Sequence, residues 1–371
     1  MRSKGIRVAA LVLMMSLLFG MAAAEPKVIV PNMELELSKA VIEEIKENND
    51  EEEGINPLTG LALTEEYTPI TLVLDNSPEV YPHWGVVEAD WIVQVPLRPD
   101  GGTRLVAVYG GAYPEQAGGT RSARMTTLPV SNLFKAAAAF AGWPPNTGKD
   151  ISVDQWIEEW DYNAPIRYYD LLGNRYRERV DFLSAPQNLS AHIKEIHDSL
   201  VKRIKKKNIK FPKRFFRFAD EPLTDGDDAA SIQLRFVVSD PEAEGITDAD
   251  RLESLNSACT LDYKEGSGYT RTSTSGLYSD RNTGEVLTFA NVIIMRVPIV
   301  WDGNYPFYED HLRGCGQAEI FQNGKHITGA WYRSGRKSRL VLLDEEGEEI
   351  SLQRGRTYMV IGDDDTVVSY E

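Results

Sequence analysis

The chain has 371 residues, 42% hydrophobic and 26% charged, with 56 acidic against 40 basic side chains and a formal net charge of −16. This is the composition of a folding chain long enough for two domains. The acidic excess argues against general binding to nucleic acid or to an anionic membrane, because the field of the whole molecule would repel both.

Arg2, Lys4 and Arg7 precede an apolar run from Val8 to Met21, followed by Ala22-Ala23-Ala24. A basic start, a short apolar core and a small-residue site predict a secretory signal over residues 1–24, cleaved after Ala24. Retention of the same segment as an anchor is the alternative and the one route to a membrane. No cysteine follows the run, so no thiol is there to carry a lipid. Residues 25–55, with the stretch MELELSKAVIEEIKENNDEEEG, read as an acidic, solvated spacer.

Residues 56–195 read as a first domain opened by NPLTGL. ITLVLDN is a β-branched apolar run that ends on Asp75 and Asn76, and ADWIVQVPL and TRLVAVYGG are two further strand candidates. GGTRSARMTTLPVSNLFKAAAAFAGW has helical composition broken at Pro129, and the spacing of Trp156 and Trp160 predicts another helix. The block is α+β or α/β in class. Residues 196–224 continue a basic helix, HIKEIHDSLVKRIKKKN, into FPKRFFRF, and read as a solvated helix face followed by a connection. From 225 to 371 the runs SIQLRFVVS, VLTFANVIIMRVPIV, GQAEIFQNGKHITGAW, SRLVLLD and RTYMVIG predict a mostly antiparallel β domain, with turns at Asn323-Gly324 and Glu346-Gly347.

The candidate site is a repeated device. Gly101-Gly102-Thr103-Arg104 recurs seventeen residues on as Gly118-Gly119-Thr120-Arg121, followed by Ser122-Ala123-Arg124. Diglycine permits unusual backbone, and a helix capped at Ser122 would turn free N–H groups toward Arg121 and Arg124. Arg104, Arg121 and Arg124 with Ser122, Gly118 and Gly119 then suit a phosphate, pyrophosphate or carboxylate. The competing reading pairs these arginines internally with Asp75, Glu88 or Asp90. The same three acids are candidates for acid and base in glycan hydrolysis, so enzyme status stays open.

Other patterns are weaker. Trp143, Trp156, Trp160, Tyr162, Tyr168 and Tyr169 fit core packing, or a platform for a sugar ring. His192 and His197 are five apart, which is not the spacing zinc prefers on a helix, and they read as solvated. No metal set, nucleotide-cofactor fingerprint or nucleophile elbow is recognised, so no cofactor is expected. Cys259 and Cys315 are a possible disulfide in an exported chain.

NPLTGL, VLDNSPEVYPHWGVVEADWIVQVP, GGTRLVAVYGGAYPEQAGGTRSAR and YRERVDFLSAPQNL together resemble successive blocks of the YerB-like bacterial envelope proteins, a family described as domain of unknown function 3048. NVIIMRV, GQAEIFQNGKHITGAWYRSG and EISLQRGRTYMVI are similar to that family's C-terminal domain. The resemblance implies an exported protein with no assigned reaction. It also implies two departures: family members often carry histidines where this chain has Gln187 and Phe140. The leading expectation is a non-catalytic protein that binds an anionic envelope polymer or lipid-linked precursor through the arginines. A glycan-acting enzyme and a scaffold for an envelope protein partner are the alternatives.

Overall fold

In the computed structural model, residues 26–30, 54–98, 101–144, 152–159, 168–211, 214–236, 257–302 and 305–371 are described. The signal segment, most of the acidic spacer, Trp160 and Tyr162 lie outside them. The chain is mostly β, with three α-helices among the described residues: α1 (Thr127–Leu133), α2 (Val153–Glu159) and α3 (Ile193–Lys207). The expected balance of helix and strand in the first domain thus shifts toward strand.

One large sheet organises the molecule. Its main strands are β1 (Ile70–Asp75), β2 (Trp91–Pro96), β3 (Thr103–Tyr109), β4 (Ala137–Phe140), β5 (Tyr168–Asp170), β6 (Asp227–Asp228), β7 (Asn291–Arg296), β8 (Gly314–Gln322), β9 (Lys325–Arg333) and β10 (Thr357–Gly362), and the short strand Val341–Leu343 also pairs with β9. Their order across the sheet is β6-β9-β8-β7-β10-β2-β3-β1-β4-β5. The early and late parts of the chain are joined at its centre, where β10 pairs in parallel with β2 from Thr357↔Trp91 to Val360↔Gln94. The Asn323-Gly324 hairpin is as expected: both residues have positive φ, and they join Gln322 to its partner Lys325.

The apolar runs are nearly continuous because both faces of the sheet are covered. Ile92, Leu105, Ala107, Val292, Ile294, Tyr358 and Val360 face one core, which also takes in α3 and a second sheet built on Ser231–Arg235, Cys259–Lys264, Gly268–Ser273 and Val367–Tyr370. Trp91, Val93, Val106, Val108, Ile293, Met295, Met359 and Ile361 face the other, with Val130, Leu133 and Phe134 around α1. Residues adjacent in sequence enter opposite cores, which is the period of two that a pleated strand imposes.

Two expectations are corrected. The alanine run is not helical: α1 ends at Leu133, Lys135 takes a left-handed φ of 50°, and residues 137–140 form β4, parallel to β1. Every β4 residue is buried, so tertiary burial has overridden helix propensity. Cys259 and Cys315 are free thiols, Cys259 on the second sheet and Cys315 on β8 of the large one. The basic stretch forms helix α3, whose lysines lie on a solvated face as read while its other face buries Ile193, Ile196, His197, Leu200 and Ile204. Its lysines 205–207 crowd the C-terminal turn, where cations complement the negative end of the helix dipole, and Asn208 closes it with φ 50°.

Candidate functional site

The segment expected to cap a helix is extended instead. Helix α1 does not begin until Thr127, so Ser122 is no cap and Arg121 and Arg124 do not share a helix face. β4 pairs with β1 only from Ile70 to Leu72. Beyond that point residues 119–123 take its place as the neighbour of β1. Arg121 N donates to Val73 O (2.9 Å) and Asp75 N to Gly119 O (3.0 Å). On its other side Ala141 N donates to Arg121 O, and Ala123 N to Gly142 O, both at 2.9 Å.

Close approach is what requires the two glycines here. A Cβ on Gly118 would lie 2.3 Å from the Trp84 ring, and one on Gly119 would lie 2.3 Å from the Gln187 carbonyl oxygen. The Gly118-Gly119 peptide is cis. Gly101, in the upstream copy, does use a left-handed φ of 80°, at the turn before β3.

This packing delivers two arginines to one buried carboxylate. Asp75 and Arg104 are register partners on β1 and β3, and Arg104 Nη1 donates to Asp75 Oδ1 at 2.7 Å. Arg121 Nε stands 3.0 Å from Asp75 Oδ2, a close ion pair without a well-directed hydrogen bond. The Arg121 side chain keeps 28% of its surface exposed, against 7% for Arg104 and 3% for Asp75. Among the described residues its two terminal nitrogens, Nη1 and Nη2, make no hydrogen bond. Arg124 donates from Nη1 to Ala123 O at 2.9 Å.

Burial depresses the Arg104 guanidinium to about 10; Asp75 opposes the shift, while Arg121, Arg124 and Arg98 deepen it. Among the described residues the Asp75 carboxylate is thus shared by Arg104 and Arg121, and the Arg124 and Arg98 guanidinium groups are near enough to act on Arg104.

The other two acidic candidates are elsewhere. Asp90 N donates to Val108 O, at the far end of β2 and β3 from Arg104. Its carboxylate accepts Asn56 Nδ2 (3.0 Å) and Gly111 N (3.1 Å), and burial raises it to about 6. Glu88 shares with it a cavity of about 420 Å³ lined also by Thr288, Arg354 and Arg356. Burial raises Glu88 too, and its Oε2 has no partner among the described residues.

The aromatic candidates among the described residues belong to the cores or pack against them. Trp156 packs with Val73, Ala123, Phe140 and Ile157, partly buried Trp143 and Tyr168 lie against them, and Tyr169 belongs to the main core. His197 is buried rather than solvated: it stacks on Tyr113 at 3.8 Å and reaches Glu66 O through Nε2. His192 stands at the start of α3 beside Glu178 and Glu195.

Sequence reading missed the residues that support Asp75 from behind. His83 is fully buried, its Nε2 donates to Asp75 O at 2.6 Å, and its ring packs against those of Tyr81 and Tyr278, which also touch each other. Burial pushes its imidazole down to about 4. Gln94, Arg271 and Tyr358 were also passed over. The available signal was a polar side chain inside an apolar strand, as in WIVQVP.

Residues 58–210 match the family model "Protein of unknown function (DUF3048) N-terminal domain", and residues 251–359 match the model of the corresponding C-terminal domain. The chain is 23% identical over 315 residues to the candidate lipoprotein YerB of Bacillus subtilis (strain 168), a match covering 82% of this chain and 85% of that one. The crystal structure of the Bacillus subtilis YerB protein superposes with a TM-score of 0.62 at 22% identity, over 85% of this chain and 99% of the other. That likeness shows the fold.

Proposed function

The chain belongs to the DUF3048 family, and from that membership and the geometry around Asp75 we propose that it is an extracytoplasmic binding protein for a phosphate-bearing component of the cell envelope. The observation that carries this reading is the sharing of one carboxylate by two guanidinium groups. Arg104 is consumed by Asp75, whereas Arg121 is only braced by it and keeps its two terminal nitrogens unpartnered among the described residues. A planar fork held in place by a buried acid offers the bidentate geometry that phosphate oxygens accept. The formal charge of −16 does not forbid this. At physiological salt, repulsion from distant acids is screened beyond about 8 Å, while the local cluster acts at contact.

Binding is favoured over glycan hydrolysis for two reasons. Asp75 and Asp90 both have their oxygens engaged by the fold, at opposite ends of β2 and β3. The positions where relatives are expected to carry histidines adjoin the arginine segment, yet the Gln187 backbone carbonyl packs closely against Gly119 and Phe140 is buried with Ala123. A candidate lipoprotein among the relatives supports an envelope location.

The test is equilibrium binding of the full chain to soluble poly(glycerol phosphate) and, separately, to phosphatidylglycerol vesicles, which distinguishes a polymer from a lipid source. Arg121→Ala should weaken the productive probe by roughly tenfold, the value of a charge-assisted hydrogen bond. Equal affinity of parent and variant for both probes would overturn the reading.

A further inference from the structure

Directly behind Asp75 and Arg104, six side chains close a hydrogen-bonded ring. Arg271 donates from Nε to the Tyr358 hydroxyl at 2.9 Å and from Nη1 to the Tyr81 hydroxyl at 3.2 Å. On one arm Tyr81 donates to Asn76 Oδ1 at 2.5 Å, and Asn76 Nδ2 donates to Thr103 Oγ1 at 2.7 Å. On the other arm Tyr358 donates to Gln94 Oε1, and Gln94 Nε2 donates to Thr103 Oγ1 at 3.2 Å. Both arms run in one direction, from a guanidinium through a phenol and an amide to the same hydroxyl, so each bond polarises the next.

The place where the ring ends is what matters. Asn76 and Thr103 are each one residue along the chain from Asp75 and Arg104, Thr103 as the first residue of β3 and Asn76 directly after the end of β1. Because successive strand residues point to opposite faces, the ring lies on one face of the sheet and the ion pair on the other. Arg271, Asn76, Thr103, Gln94 and Tyr358 are all buried, so slack in the ring would leave polar groups unpaired in the core. The ring therefore fixes the ends of β1 and β3, and with them the angle at which Asp75 presents the arginines. Arg271 and Tyr358 come from the segment 251–359, whereas Asp75, Arg104 and Arg121 come from 58–210.

We propose that Arg271 is a positioning residue for the phosphate site, so that the second family segment sets the affinity of a site carried by the first. This inference rests on the reading of Arg121 and Asp75 given above. Arg271 does not touch the ligand; it acts through Tyr81, Tyr358 and the hydroxyl of Thr103.

The experiment is a double-mutant cycle in the full chain, with soluble poly(glycerol phosphate) as probe and thermal unfolding followed in parallel. Arg271→Gln and Thr103→Val should each weaken binding by roughly threefold to thirtyfold, the range of couplings carried through a packed network. The double variant should bind as the weaker single variant does, because both changes cut the same path. Independent losses that multiply would overturn the proposal, since general destabilisation behaves that way. If Arg271→Gln does not fold, Tyr81→Phe removes one hydroxyl from one arm and serves in its place in the cycle. A loss of binding in Arg121→Ala with none in Arg271→Gln or Tyr81→Phe would overturn the positioning role and leave the site standing. No loss in Arg121→Ala would overturn the site itself, and the positioning role with it.

Discussion

Asp75 and Arg104 sit opposite each other on adjacent antiparallel strands and form a 2.7 Å ion pair with side chains 3% and 7% exposed. A pair so buried adds little net stability over a well-packed apolar pair, but removing one member strands the other. Asp75→Asn should therefore cost about 3 kcal/mol of folding free energy. It should also weaken phosphate binding, because Arg121 loses its brace although the site gains net positive charge. Urea unfolding reads the first effect and titration with poly(glycerol phosphate) the second. Tighter binding by the variant would mean that Asp75 competes with the ligand rather than orienting the arginines.

The diglycine segment makes a separate prediction. At Gly118 and Gly119 an added Cβ meets an indole ring and a backbone carbonyl at 2.3 Å, and neither is the flexible end of a side chain. Overpacking of this kind costs about 1–3 kcal/mol. Gly118→Ala and Gly119→Ala should each lower the melting temperature by several degrees, whereas Gly173→Ala, whose nearest contact would be 3.9 Å, should leave it near the parent value. Scanning calorimetry of the three variants checks this. Equal melting temperatures would show that the segment yields, and that its glycines serve flexibility after all.

Part of this site was legible from the chain and part was not. Asp75 could be placed at the end of ITLVLDN because a β-branched run ending on polar residues marks where a buried strand emerges. The acid was therefore a visible partner for Arg104 and Arg121. The conformation of GGTRSAR was not legible: serine before an apolar run reads as a helix cap by local chemistry, but the segment's backbone groups are taken by β1 and by residues 141–142. The alanine run failed for the same reason, since propensity is local and the slot beside β1 is tertiary. His83, Gln94 and Arg271 escaped because a buried polar residue is recognised by partners as much as 264 positions away in sequence, as Gln94 is by Tyr358.

Two buried titrating groups oppose each other on acidification. His83 titrates near 6.5 when unfolded and about 4 when folded, so the unfolded chain takes up the proton first and stability falls as pH drops through that window. Asp90 titrates near 3.8 when unfolded and about 6 when folded, so here the folded chain takes up the proton first and stability rises as pH drops from 6 toward 4. Each contributes about 1.4 kcal/mol per pH unit in its window, with opposite sign. Asp90→Asn should expose the His83 effect and lose stability as pH falls from 6.5 to 4. His83→Gln should expose the Asp90 effect and gain stability from 6 to 4. Urea midpoints measured across that range check both, and parallel profiles for parent and variants would refute the assignment.

The central pairing of β2 with β10 makes the last prediction. β2 contributes Trp91, Val93 and Val95 to one core and Ile92 to the other, and its neighbours are β3 from the first family segment and β10 from the second. A fragment ending near residue 210 keeps β1 to β5 but exposes a bare inner edge at β2, with half of each core missing. A complementary fragment starting at residue 211, which keeps β6 and Ser231–Arg235, has the mirror defect at β10. Unpaired central edges with apolar faces promote aggregation rather than independent folding. Each fragment expressed alone should therefore be insoluble or lack a cooperative unfolding transition. Co-expression of the two should restore a soluble complex in which Arg271 again reaches Tyr81 and Tyr358. Near-ultraviolet circular dichroism of the separate and combined fragments tests this. A cooperative transition in the isolated 58–210 fragment would show that the first segment folds without its neighbour, and the coupling between the halves would then be confined to the ring.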